Sequence, residues 1–176
     1  YRPYQKKLID MALKQRSALI ESPTGSGKTI VLAGILNALK GKPGLVFFTQ
    51  KSILLQTYRF LKLNGFDVGI AYGGGVDLKP VTLCTVQSVE KVIDSHLDSA
   101  KFIIFDEVHE FSKGKLTTSV IKSFPNAVYR LGMSATIPKE RYAKLNLVSA
   151  LGGVISEVDV KELVDHGFLT PPIIQF

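Results

Sequence analysis

Ser22-Pro23-Thr24-Gly25-Ser26-Gly27-Lys28-Thr29 lies between two apolar runs, Ala18-Leu19-Ile20 and Ile30-Val31-Leu32-Ala33. Strand, glycine turn and helix in that order make an anion site. The first N–H groups of the helix are unsatisfied, and the helix dipole favours negative charge beside them. Gly25 and Gly27 permit backbone turns that a Cβ would block. Lys28 is long enough to reach terminal phosphates, and the Thr29 hydroxyl is a suitable magnesium ligand. The stretch is a candidate Walker A phosphate loop in which Pro23, Thr24, Gly25, Ser26, Gly27, Lys28 and Thr29 touch a nucleotide. It departs from the general pattern at Ser22, where glycine is usual. The plain alternative is a chance turn before a helix.

Two further polar segments end apolar runs. Asp106-Glu107-Val108-His109 follows Phe102-Ile103-Ile104-Phe105, and Ser134-Ala135-Thr136 follows a strand predicted over 127–131. Ligands of open parallel sheets gather at the carboxyl ends of the strands, so the three segments are expected to share one crevice. Asp106 would hold a magnesium ion together with Thr29, because magnesium takes few of its oxygens from protein. Glu107 would hold or deprotonate an attacking water, a weak nucleophile at neutral pH. Lys28 and the metal would offset charge developing on the phosphates. A solvated acidic turn is the alternative for Asp106 and Glu107. A structural histidine is the alternative for His109, which we read as bridging the nucleotide site to Ser134 and Thr136. Zinc is not expected, since Cys84, His96 and His166 show no ligand spacing with His109.

The elements that must carry these segments follow from periodicity. Tyr4, Leu8, Met11 and Ala12 share a helical face over 3–14. The helix after the phosphate loop is apolar nearly all round and so buried, and Gly41, Pro43 and Gly44 end it. Strands are predicted at 45–48, 68–71, 81–85, 102–105 and 127–131, with another near Val154. Helices are predicted around 54–61, 86–93, 116–124, 141–151 and 160–166. Gly73-Gly74-Gly75 reads as a turn, Lys113 and Lys115 as solvated loop. Pro171-Pro172 stop any helix and lead toward a linker. Alternating strands and helices imply an α/β domain with a central, mostly parallel sheet and helices on both faces.

At 176 residues, 45% hydrophobic and 21% charged, the chain is globular and of one-domain size. No apolar run is long enough to cross a membrane as a helix, and the start at Tyr1 lacks the apolar core of a signal peptide. A first residue other than Met reads as a piece of a longer polypeptide. Cys84 is the only cysteine, which excludes an internal disulfide and suits a reducing cytoplasm (a host's, for a phage protein) or a nucleus. Its apolar neighbours make it a core filler. The net charge of +7 suggests a polyanionic partner such as nucleic acid, or merely a soluble basic surface.

The three segments, in this order, resemble motifs I, II and III of the first RecA-like P-loop NTPase domain of superfamily 2 helicases and translocases. Asp106-Glu107-Val108-His109 is similar to the DEAD box in its DEAH-like form, here a DEVH box. Serine is accepted at the Ser22 position in that family. Arg2-Pro3-Tyr4-Gln5 resembles the upstream adenine-recognition motif, which implies that Arg2 and Gln5 belong to the cofactor site, Gln5 at the base edge. Thr49-Gln50-Lys51 and Thr85-Val86-Gln87-Ser88 sit where backbone-contacting motifs fall. The resemblance covers Arg2 to Thr136 and is closest to the XPB-like, RecG-like and phage recombination or branch-migration DNA helicases.

That resemblance implies ATP and Mg2+ as cofactors, DNA or RNA as substrate, and an ATP hydrolase that couples turnover to movement on nucleic acid. Lys28, Asp106, Glu107 and His109 would be catalytic. Thr49, Lys51, Gly73, Gly74, Thr85 and Ser88 would contact nucleic acid. Simpler roles are open to each: helix caps for Thr49 and Ser88, a turn for the glycines, a solvated charge for Lys51. Phosphate contacts position a strand without reading sequence or the 2′-OH, so DNA and RNA helicase readings both stand. A nucleotide-gated binding subunit without unwinding is a third. The lobe would span 1–170, with 171–176 starting the linker to a second RecA-like domain that supplies arginines in the family. Alone it would be nearly inactive.

Overall fold

A computed structural model describes residues 1–111 and 116–156. The loop with Lys113 and Lys115, the helix predicted over 160–166 and the linker residues lie outside them. Eight strands form one sheet in the order β4-β3-β5-β2-β6-β7-β1-β8. They are β1 (Ser17–Glu21), β2 (Gly44–Phe48), β3 (Gly69–Tyr72), β4 (Gly75–Asp77), β5 (Val81–Thr85), β6 (Phe102–Asp106), β7 (Tyr129–Ser134) and β8 (Gly153–Ser156). Every pairing is parallel except β3 with β4. Among the described residues, α1 (Pro3–Gln15) precedes the first strand and five helices lie between strands: α2 (Lys28–Ala38), α3 (Lys51–Leu63), α4 (Glu90–His96), α5 (Leu116–Ser123) and α6 (Arg141–Leu151).

Successive strand residues point to opposite faces, and both faces are apolar, which explains the unbroken hydrophobic strand runs. Ala18, Ile20, Val46, Phe48, Phe102 and Ile104 pack under α1, α2 and α3. Leu19, Leu45, Phe47, Ile103 and Phe105 pack on the other side, with Val92, Ile121, Phe124, Leu147 and Leu151. Cys84 is buried there, and burial pushes its thiol far above the ordinary range, as expected for an inert filler.

Three local expectations shift. Gly73 and Gly74 form the tip of a two-residue hairpin, and Gly75 already belongs to the antiparallel edge strand β4. The helix predicted over 86–93 divides into a 3-10 turn, Val86–Ser88, and α4. The strand predicted over 127–131 begins at Tyr129, because Pro125 and Asn126 occupy a turn closed by the Ala127 N–H on the Phe124 carbonyl. It runs on to Ser134 because it remains paired with β1 there, Ser134 opposite Glu21.

Phe47 stacks on Phe105 with ring centroids 5.1 Å apart and is fully buried. Phe47→Ala is expected to lower the unfolding free energy by about 3–5 kcal/mol, measured by urea denaturation. A loss below ~1 kcal/mol would show that this ring is not part of the core.

Candidate nucleotide-binding site

The sheet order sets β6, β7 and β1 side by side, and their carboxyl ends carry all three polar segments. Asp106, Met133 and Ile20 lie abreast in the register. The segments predicted to converge do so.

The phosphate loop is shaped from within and from α1. Gly25 and Gly27 have φ of 81° and 85°, the left-handed region that glycine enters at little strain. Ser26 Oγ donates to the Pro23 carbonyl at 2.6 Å, so the 2.6 Å contact between Ser22 Oγ and Ser26 Oγ has Ser22 as donor. Ser22 and Ser26 are fully buried. The residue that departs from the general pattern thus supplies a hydrogen bond that glycine could not. From α1, Tyr4 Oη (2.5 Å) and Gln5 Nε2 (3.0 Å) both donate to the Ser26 carbonyl. Gln5 Oε1 accepts from the Arg2 N–H at 2.9 Å, and Gln5 is 1% exposed. Both ends of the Gln5 amide are therefore engaged with protein, which leaves one N–H and one lone pair for a base edge.

At the end of β6, Lys28 Nζ lies 2.7 Å from Glu107 Oε1. Glu107 has φ 51°, an uncommon conformation for a residue with a side chain and one that clusters at functional sites. His109 Nδ1 lies 2.7 Å from Ser134 Oγ and 3.3 Å from Glu107 Oε2. Ser134 Oγ donates to the Thr136 carbonyl at 2.7 Å. Its proton being used there, Ser134 Oγ accepts from His109, which assigns a proton to Nδ1. The Ser134 carbonyl takes the Ser22 N–H at 2.9 Å, returning the chain of contacts to the phosphate loop.

Burial pushes the Asp106 carboxyl up to about 6, helped by the charge of Glu107 and opposed by Lys28. Glu107 Oε2 is buried and makes no hydrogen bond, its 3.3 Å approach to His109 Nδ1 notwithstanding. Two carboxyl groups with too little compensating positive charge suit a divalent cation. The left-handed glycine turn at the N-terminus of α2 suits phosphates. The residues present therefore fit a magnesium–nucleotide complex, to which Thr29 and Asp106 could each offer an oxygen.

The predicted nucleic-acid residues lie on the same edge of the sheet, at the ends of β2, β3 and β5. Lys51 is exposed, its Nζ 4.8 Å from the centre of the Tyr72 ring, and Gly73 and Gly74 are exposed beside it. Thr49 is half-buried. Thr85 and Ser88 are buried, and Thr85 Oγ1 donates to Ser88 Oγ at 2.9 Å. Neither hydroxyl faces outward, which corrects the expectation that both reach a ligand directly. Sequence reasoning missed Tyr4 as a loop anchor. It missed Tyr72, whose carbonyl also takes Lys91 Nζ at 3.2 Å, and Glu21, whose Oε1 accepts the Ile137 N–H at 3.2 Å. Tyr72 is signalled only by the triple glycine after it; Glu21 and the second role of Tyr4 have no local signal.

Comparison with known proteins agrees with this geometry. Residues 1–139 match the family described as type III restriction enzyme, res subunit. The DNA 3'-5' translocase XPB2 of Sulfurisphaera tokodaii is 33% identical over 164 residues, 92% of this chain and 36% of that protein. The ATP-dependent DNA helicase uvsW of Enterobacteria phage T4 is 24% identical over 181 residues, 95% of this chain and 36% of that protein. The chain thus spans about a third of the length of these relatives. Aligned by structure, the crystal structure of the UvsW helicase from bacteriophage T4 matches 89% of this chain and 60% of that one, with a TM-score of 0.75 and 19% identity. The chain belongs to the type III restriction enzyme res subunit family, and its fold is the RecA-like domain of superfamily 2 helicases.

Proposed function

We propose that this chain is the nucleotide-binding motor lobe of an ATP-dependent DNA helicase or translocase. The observation that carries the reading is the continuous run of contacts from Lys28 through Glu107, His109 and Ser134 to Ser22. It links a phosphate loop, a candidate general base and a third segment that can report on both. DNA as substrate is supported by what the named relatives act on. The lobe is assigned to 1–170, with 171–176 as the start of the connection to a second RecA-like lobe.

The loop amides and Lys28 would bind the triphosphate, and Thr29 and Asp106 would hold its metal. When bound, magnesium–ATP supplies the phosphoanhydride bond whose hydrolysis drives the motor. Lys28 and Glu107 neutralise one another in the structure described here, and both roles require them to part. Lys28 would then be available to phosphate oxygen, and Glu107 Oε1 would be free to take a proton from water. His109 Nδ1–H can serve Ser134 or Glu107 but not both well, so a change in the charge of Glu107 is felt at Ser134 and Thr136. Arginines of the second lobe complete charge stabilisation, as the family resemblance implies.

In the full-length polypeptide, Glu107→Gln is expected to lower kcat by about 10²–10⁴-fold while nucleotide affinity stays within a few-fold. Steady-state hydrolysis and calorimetry measure the two, and turnover near the parent's would remove Glu107 from the role. Lys28→Ala should weaken nucleotide binding by at least ~10-fold; unchanged affinity would contradict the phosphate-loop assignment.

Asp106 gives a pH prediction. Its folded value of about 6 lies above the ordinary carboxyl value of about 4. Between those pH values the folded chain retains a proton that the unfolded chain releases, so stability falls as pH rises through the window and the loss is complete above it. Asp106→Asn should therefore be more stable than the parent by roughly 2–3 kcal/mol near neutral pH without metal, with the gain vanishing in acid below the window. Urea titrations at several pH values test this, and a gain that does not depend on pH would exclude a buried charge as its cause.

A further inference from the structure

The chain's positive charge is concentrated on the edge of the sheet opposite the crevice, where the chain enters the strands. Lys79 precedes β5, Lys42 precedes β2, Lys101 precedes β6, Arg16 precedes β1, and Arg130 is the second residue of β7. These strands are consecutive in the sheet, β5-β2-β6-β7-β1, so each of the five begins beside a cation. Strands stand about 4.8 Å apart, and the row therefore spans roughly 19 Å.

Backbone hydrogen bonds make the row one continuous edge: Gly44 N–H to the Pro80 carbonyl, Lys101 N–H to Pro43, Val128 N–H to Lys101, and Arg130 N–H to Arg16. Lys40 and Lys62, near the ends of α2 and α3, adjoin it. Seven cations there stand against three carboxylates, Asp67, Asp77 and Asp98. That surplus of four is more than half of the chain's +7. Asp67 is already paired with Lys79 and Lys62. On the motif edge, by contrast, Lys28, Lys51 and Lys91 are interspersed with Glu21, Asp106, Glu107 and Glu110.

Two observations indicate that this edge awaits an anion. Arg16, Lys40, Lys42, Lys101 and Arg130 form no ion pair with any described residue. Arg130 Nε is buried without a hydrogen-bond partner, while its Nη2 donates to the Pro125 carbonyl at 3.4 Å. The edge is also concave. Hollows of about 410 and 540 Å³ share Gly41 and Pro80; Lys40, Lys42 and the half-buried Phe66 line one, and Lys79 lines the other.

We propose that this edge is a second nucleic-acid surface, one that holds a phosphodiester backbone away from the motor crevice and without regard to base sequence. Its exposed members include Arg16, Lys42 and Lys101, long side chains of fixed positive charge that meet phosphate oxygens readily. A row of positive charge roughly 19 Å long suits an extended polyanion such as a phosphodiester chain. The inference rests on the reading of the chain as a nucleic-acid motor, and it adds a second point of attachment, so that the lobe holds two segments at once.

The test uses the full-length polypeptide and a fluorescein-labelled DNA duplex with a single-stranded tail, followed by anisotropy over a salt series. Lys42→Glu with Lys101→Glu is compared with Lys6→Glu with Lys144→Glu, an equal charge change on the exposed sides of α1 and α6. The first pair should reduce the slope of log affinity against log salt by about 2, close to 0.9 for each phosphate that is no longer neutralised. It should weaken binding at ~0.1 M salt by about ten- to a hundredfold, with the second pair remaining within about twofold. Lys42→Gln with Lys101→Gln reads the same fall in slope if the reversals disturb folding. An unchanged slope, or equal losses from both pairs, overturns the proposal while DNA-stimulated hydrolysis leaves the motor reading standing. A parent polypeptide that binds no DNA overturns both.

Discussion

Ser134 is the point on which the crevice depends. Its carbonyl takes the amide that opens the phosphate loop, its hydroxyl accepts from His109, and the same hydroxyl donates within its own segment to Thr136. Three loops separated by scores of residues are fixed to one another through one small side chain and its backbone. Because Ser134 is buried, none of these bonds competes with bulk water, and losing a partner would strand a polar group in the interior. The sheet makes the arrangement possible by setting β7 between β6 and β1, so that the middle strand's last residue lies between the two loops it joins.

The Lys28–Glu107 pair crosses the crevice. A buried or half-buried ion pair is weak as a source of stability, yet it keeps these two side chains occupied with each other. Among the described residues Asp106 has no such partner, and desolvation dominates its behaviour.

Much of this was legible in the sequence. The glycine loop, the acidic box and the Ser134 segment each follow an apolar run, and the rule that ligands gather at carboxyl ends of parallel strands was enough to bring them together. The two-sided burial of the strands could be read in runs such as Leu45-Val46-Phe47-Phe48. Features decided by tertiary pairing could not be read. Ser134 lies inside β7 because β1 continues beside it, and β4 exists because β3 offers an open edge. Thr85 and Ser88 look in sequence like exposed hydroxyls but turn inward to each other at the 3-10 turn. Charge misled more subtly: the net excess was evident, but which edge of the sheet carried it depended on strand order, which composition does not contain.

The carbonyl and amide of one peptide unit point in opposite directions. Tyr4 and Gln5 both hold the carbonyl of Ser26, so the N–H of Gly27 on the far side of that plane must face away from α1. A helix that supplies no residue to the glycine loop therefore sets the aim of one of its donors. Removing the first five residues would leave every member of the phosphate loop in place, yet free that plane to rotate.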